Sequence, residues 1–369
     1  MRLSVIACCS APRRWEEEET RREKQHRVFT YDEIEVATSG FAASSLLGRG
    51  SHGAVFLASL DGGRLLSAAK VPSQSSLLFD SRSPTDAEID LLSSLPCSPL
   101  FVNLVGATSF SPRIAVVEFM PRGSLHDLLH RPLHPPPPFP YRLRLARLSA
   151  VALSQLHSLR VAHRDVKPAN LLLGADGLPR LADFGLAVRL PGPGCLGAAS
   201  LPPPAGTMGY LDPAYLRPED VSDRTDVYSF GVVLLEVLSG REAINMEHSP
   251  PSLVDWATPL VAEGRFWELW DPLAAPEGKK EEEAAKAVAE IAAKCLAEDA
   301  RRRPSMAEVA AALKAADSRV GPRRRLAGWG PRRGEDRSYE PGKGSVRRGE
   351  VVAIPVSFPP PGLDDVAVT

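Results

Sequence analysis

An α+β fold in two lobes is predicted, with a small antiparallel β-sheet and one helix in the first lobe and a mostly helical second lobe. Three observations carry this. From Leu46 to Val71 the texture is β-prone and broken by glycine (SLLGRG, AVFLASL, DGG, RLLSAAKV). TDAEIDLLSSL, at 85–95, is one helical pattern. Beyond it come helical patterns at 141–159, 228–240, 281–299 and 305–316, with no strand run of comparable length between them.

In chain order, residues 1–28 are charged and irregular, and are expected to be a disordered N-terminal segment. Thr30 stands three residues ahead of Glu33, the spacing of a capping box, so FTYDEIEVATSGF opens a short amphipathic helix with Ile34, Ala37 and Phe41 on one face. Asp61-Gly62-Gly63 between two β-prone runs signals a hairpin. YSFGVVLLEVLSG is apolar nearly all round and closes on Gly240, which describes a buried helix with a glycine end. Ser305 and Glu308 repeat the capping-box spacing. The folded part is expected to close near 316. Residues 317–369 form a Gly/Pro-rich tail, basic between 322 and 348 and expected to be disordered.

The formal net charge of −1 gives no case for a specific nucleic-acid partner. Proline is over-represented, at 35 residues, and is concentrated in runs such as HPPPPFP and LPPPAG that read as stiff loops. Five cysteines at 8, 9, 97, 195 and 295 show neither a zinc spacing nor a disulfide framework, which suits a reducing, cytoplasmic setting. No run of eighteen apolar residues is present, so no spanning helix is expected. Cys8 and Cys9, as acylation candidates, and the basic tail are the features through which the chain would touch the inner face of a membrane.

The chemistry-bearing residues are separated in sequence but complementary in role. Gly48, Gly50 and Gly53 stand before a β-prone run, so they belong to a strand–turn–strand flap rather than to a dinucleotide fold. Glycine there lets backbone approach phosphate oxygens, although the pattern alone also fits a plain hairpin. Lys70 ends the following strand, and an inward-pointing lysine needs a partner, for which Glu88 on the first long helix is the candidate. In HRDVKPANLLL, Asp165 can accept a hydroxyl proton, Lys167 brings a cation to the transferred group, and Asn170 supplies an oxygen ligand for a metal. Asp183 of LADFGLA, thirteen residues on, is the second metal ligand.

Together these motifs resemble the protein kinase family over roughly 41–316, and most closely the plant receptor-like kinases and their cytoplasmic relatives, through FTYDEIEVATSGF, GYLDPAY, DRTDVYSFGVVLLEVLSGR and RPSM. The resemblance implies the two-lobed kinase fold, with lobes at about 41–120 and 121–316. It also implies ATP with Mg²⁺, and transfer to serine or threonine hydroxyls of protein substrates downstream of a receptor kinase. Lys167 matches the serine/threonine type. By the same resemblance Val55 and Ala68 roof the adenine and Leu172 floors it. VVEFM is the hinge, with Val117 as gatekeeper and backbone from Glu118 to Met120 facing the base. Asp226 is the buried aspartate that holds the catalytic loop. The alternative is a pseudokinase acting as a nucleotide-binding scaffold.

Two departures stand out. Arg164 marks kinases whose activation segment is ordered by a phosphate, yet between Asp183 and Thr207 the only hydroxyl is Ser200. The segment is therefore expected to be ordered without a switch, or switched at Ser200 or Thr207, with Thr207 favoured as a contact to Asp165. The second departure is Ala214, which stands where the family has a glutamate paired with the arginine matching Arg303. Arg303 is thus expected to be stranded or met by Glu219, Asp220 or water, and Ala214→Glu to raise the melting temperature.

Overall fold

The computed structural model describes residues 26–50, 53–73, 83–110, 113–131, 136–191 and 201–320. Its first lobe is built on a six-stranded sheet. The strands are β1 (Arg27–Phe29), β2 (Leu46–Gly50), β3 (Gly53–Leu60), β4 (Leu65–Pro72), β5 (Leu104–Thr108) and β6 (Ala115–Glu118), in the spatial order β1-β5-β6-β4-β3-β2. The hairpin joining β3 to β4 turns on Asp61, Gly62 and Gly63, all with positive φ, as their composition predicts.

Helix α1 (Tyr31–Ala37) begins at Thr30, whose hydroxyl accepts from the Glu33 N–H while Glu33 accepts from the Thr30 N–H, completing the capping box. It buries Ile34 against Phe29, Ala58 and Ile114. Full burial of such a side chain contributes about 1.5–3 kcal/mol. Helix α2 (Pro84–Ser94), capped by Ser83, lies against the sheet and carries Glu88 inward.

The second lobe gathers around α5 (Asp223–Ser239), which buries nearly every side chain and ends on Gly240 at φ 64°. A C-terminal residue in that left-handed region is most easily a glycine. Around it pack α4 (Phe139–Ser158) and α7 (Lys279–Cys295), with α8 (Met306–Val320) against both of those. The Ser305–Glu308 capping box forms as expected. Four short strands, β7 (Val161–Ala162), β8 (Leu171–Leu173), β9 (Pro179–Leu181) and β10 (Val188–Arg189), pair β7 with β10 and β8 with β9. They hold the loops between the lobes.

Several features depart from the sequence expectation. Strand β1 includes Arg27 and Val28, which the sequence assigned to the N-terminal segment, because it lies parallel on β5. Three residues held by a neighbour's backbone carry no periodicity of their own, and they make the sheet mixed rather than wholly antiparallel. Helix α8 runs past 316 to Val320, and α7 stops at Cys295 rather than 299. Asp299 instead caps the next turn by accepting from the Arg301 N–H. Helix α3 (Leu125–His130) and helix α6 (Leu253–Ala262), which has Pro259 inside it, were not foreseen. The proline hides α6 from pattern reading. No helix among the described residues is long and apolar enough to cross a membrane. Cys8, Cys9, Cys195 and the tail beyond 320 lie outside the described residues.

Candidate active site

The register of β3, β4 and β6 sets the roof of the cleft. Val55 and Ala115 lie opposite Lys70, and Leu57 and Val117 lie opposite Ala68, so Val55, Ala68, Lys70 and Val117 share one face of the sheet. From the other lobe, Leu172 and Ala182 pack with Met120, Val102 and Val117 into one apolar cluster below that face. The glycines frame the mouth. Gly48 and Gly50 sit within β2 and Gly53 opens β3 at φ 151°. A Cβ on Gly53 would stand 2.0 Å from the Val71 carbonyl oxygen, so no other residue fits without moving β4.

At the hinge, the Glu118 N–H donates to the Asn103 carbonyl (2.9 Å), and the Asn103 side chain donates back to Glu118 (3.2 Å). That amide is therefore unavailable to a base. The expectation for this stretch narrows to the Glu118 carbonyl and the Met120 N–H.

Lys70 joins the two lobes. Its Nζ donates to Glu88 Oε2 at 2.6 Å and to Asp183 Oδ1 at 2.5 Å. Burial works to lower the pKa of this ammonium, but the two carboxylates outweigh it, and the net shift is upward. Glu88 has a second task that the sequence did not reveal: its Oε1 accepts from the Phe184 N–H at 3.1 Å. One carboxylate thus fixes both the lysine and the backbone beside Asp183. Phe184 is buried edge-on to Phe101 and against His163.

The loop bearing Asp165 is held from below. Asp226 accepts from the backbone N–H groups of His163 and Arg164 (2.8 Å each) and from His157 Nε2 (2.8 Å). Burial alone would raise the Asp226 carboxyl, but the His157 contact and the His163 N–H bring it below the usual range. This grip holds Arg164 at φ 68°, a conformation costly for a long side chain. His163 accepts from the Asp165 N–H through Nδ1 (3.3 Å), leaving Nε2 as the donor to the Ala182 carbonyl (3.0 Å). The loop and the Asp183 segment are tied together through that ring.

Three side chains converge on Asp165. Asn170 Nδ2 donates to its Oδ2 (2.9 Å) and to its carbonyl (2.8 Å), and Lys167 Nζ lies 2.7 Å from Oδ2. Thr207 donates to Oδ1 (2.6 Å) while accepting from Lys167 Nζ (2.6 Å). Thr207 therefore sits as a contact to Asp165. With the Asn170 amide nitrogen committed to Asp165, its carbonyl oxygen is the atom suited to meet a cation. Among the described residues no three His, Cys, Asp or Glu side chains could hold a metal alone. An Asp–Asn oxygen pair suits Mg²⁺, which is bound by one or two protein ligands with phosphate and water completing its shell.

Around the end of this segment two expectations change. Arg303 is not stranded. It forks onto Asp212, with Nη2 to Oδ1 at 2.8 Å and Nη1 to Oδ2, and gives further bonds to the carbonyls of Ala297 (2.8 Å) and Arg224 (3.1 Å). Glu219 and Asp220, the suggested compensators, pair with Arg217 instead. Arg164 meets neutral acceptors, donating to the carbonyls of Leu186 (2.9 Å) and Pro203 and stacking over Tyr215. Ser200 lies outside the described residues.

A protein kinase domain model matches residues 41–313. A serine/threonine-protein kinase-like protein of Arabidopsis thaliana is 40% identical over 329 residues, covering 84% of this chain and 68% of the relative. A second is 38% identical over 304 residues, with 78% and 87% covered. The serine/threonine-protein kinase PBL34 of the same plant is 38% identical over 305 residues, with 78% and 60% covered. The matched span contains the glycine hairpin, the Lys70–Glu88–Asp183 bridge and the Asp165 loop, and the chain belongs to the protein kinase family, in its serine/threonine type.

Proposed function

We propose that this cleft transfers the γ-phosphate of ATP to serine and threonine hydroxyls of protein substrates, with Asp165 accepting the hydroxyl proton. The observation that carries the reading is the convergence of Lys167, Asn170 and Thr207 on Asp165, in a lobe tied to the other through Lys70. Thr207 and Lys167 orient the carboxylate toward an incoming hydroxyl, and Lys167 also carries positive charge toward the group in transfer. Lys70, held by Glu88 and Asp183, is placed to pair with phosphate oxygens, and the face bearing Val55, Ala68 and Val117 covers the adenine above Leu172.

Asp183 and Asn170 would hold Mg²⁺, which when bound neutralises charge on the phosphates. The glycines of β2 and β3 let backbone close over those phosphates and exclude water. Action beside a membrane receptor is a further part of the reading. It rests on kinship alone, since the relatives include a proline-rich receptor-like protein kinase of Arabidopsis thaliana.

The test is to incubate the full chain with labelled ATP, Mg²⁺ and casein, then hydrolyse and separate the phosphoamino acids. Phosphoserine and phosphothreonine are expected. Label on tyrosine alone, or none, contradicts the reading.

A further inference from the structure

The chain leaves α1 through a turn that ordinary side chains disfavour. Ser39, Gly40 and Phe41 run consecutively at φ 57°, 71° and 53°. Left-handed backbone suits glycine, and for a residue as bulky as phenylalanine it is a genuine outlier. The surroundings impose it. Thr38, fully buried, donates its hydroxyl to the Ile34 carbonyl (2.8 Å) and accepts from the Phe41 N–H (3.2 Å). The Gly40 N–H donates to the Glu35 carbonyl (2.7 Å). Ser45, the last residue before β2, turns its hydroxyl onto the carbonyls of Thr38 (2.7 Å) and Ala42 (2.8 Å). The end of α1 and the start of β2 are thus one locked unit, and an outlier held this firmly points to a task.

What the turn delivers is the Phe41 ring. It meets the Phe56 ring edge-on, with centroids 5.4 Å apart at 68°, and also meets the Tyr31 ring at 5.6 Å. Phe56 alternates along β3 with Val55 and Leu57, so it backs the roof of the cleft from the far face of the sheet. Its partner on β2 is Leu46, and the pairing slips between Leu46 and Gly48, the first glycine of the flap. Phe56 therefore stands behind the root of the hairpin that carries Gly48, Gly50 and Gly53.

We propose that Phe41 is a positioning residue for phosphate transfer, whose ring acts through Phe56 to hold the glycine hairpin in the conformation that receives ATP. The inference rests on the kinase reading above. Without the ring the hairpin spreads over other conformations, and the apparent affinity for ATP falls with the competent fraction. Saturating ATP restores the hairpin and leaves the chemical step intact. Damage to the fold as a whole acts differently, since it removes active molecules and lowers kcat at an unchanged KM.

The test compares full-chain wild type, Phe41→Ala and Phe41→Tyr on casein with Mg²⁺, varying ATP and casein in turn. Phe41→Ala should raise the KM for ATP about three- to tenfold, the range that an aromatic edge contact gives, with kcat and the KM for casein within about twofold of wild type. Phe41→Tyr keeps the ring and should restore the wild-type KM. Phe41→Leu, which keeps apolar bulk without the ring, supplies the same test if Phe41→Ala does not fold. With wild type active, three results overturn this inference and leave the kinase reading standing: an unchanged KM for ATP, a fall in kcat larger than the rise in that KM, or a Phe41→Tyr protein as impaired as Phe41→Ala. Wild type inactive on casein overturns both.

Discussion

Asp212 closes both carboxylate oxygens on the guanidinium of Arg303, in a position where neither side chain meets solvent. The same carboxylate holds the backbone of the end segment, since the Ala214 N–H also donates to Asp212 Oδ1 (2.9 Å). The small side chain at 214 therefore leaves no orphaned charge. Ala214→Glu is expected to leave the melting temperature flat or lower it, by adding a second carboxylate beside Asp212. Asp212→Ala strands a buried cation and should cost about 3–5 kcal/mol in urea denaturation. A clear stabilisation by Ala214→Glu would show that Arg303 is under-partnered.

Lys70 separates two carboxylates that would otherwise face each other. Lys70→Met is expected to cut phosphate transfer about 10²–10³-fold, the usual effect of removing one positioned charge. Nucleotide binding, followed by thermal shift with ATP, should fall far less. Comparable losses in binding and in transfer would mean that Lys70 serves general affinity rather than positioning.

Glu236 gives the protein a distinct pH signature. Its carboxyl is fully buried between the Tyr210 hydroxyl (2.6 Å) and His130 Nε2 (2.9 Å). Burial is the larger influence and raises its pKa above the ordinary 4.5. The folded protein thus holds this proton more tightly than the unfolded chain. Its contribution to stability is present below pH 4.5, lost as pH rises through the raised value, and constant above it. Glu236→Gln removes that slope, so the wild-type minus variant unfolding free energy should decline across this window. Parallel pH profiles would contradict the assignment.

Arg164 bears on regulation. Its two carbonyl partners, Leu186 and Pro203, come from opposite ends of the segment that carries Ser200. An arginine already engaged this way does not need a phosphate to order its surroundings. Phosphatase-treated protein and Ser200→Ala are expected to keep transfer rates within about twofold of the untreated wild type, unlike kinases whose loop must gain a charge pair. A tenfold loss in either preparation would place a phosphate switch in this segment.

Much of this was legible in the sequence because it is local or stereotyped. The capping boxes at Thr30 and Ser305, the glycine hairpin at 61–63 and the glycine end of α5 each depend on residues a few positions apart. Lys70, Glu88, Asp165, Asn170 and Asp183 were nameable because each must carry a particular charge or donor at a particular spacing. What was not legible depends on distant partners. No spacing rule links Asp212 to Arg303, 91 residues away, and a family habit pointed to 214 instead. The bond from the Phe184 N–H to Glu88 and the carbonyl partners of Arg164 are backbone contacts, invisible in side-chain patterns.

The central claim is that Asp165, oriented by Thr207, Lys167 and Asn170, accepts the substrate's proton. It is tested by single-turnover transfer from ATP to casein by wild type and Asp165→Asn, each first shown to bind nucleotide by thermal shift. The account predicts undiminished binding and a transfer rate lower by about 10²–10⁴-fold, the usual contribution of a positioned general base. Equal transfer by the two proteins would contradict it.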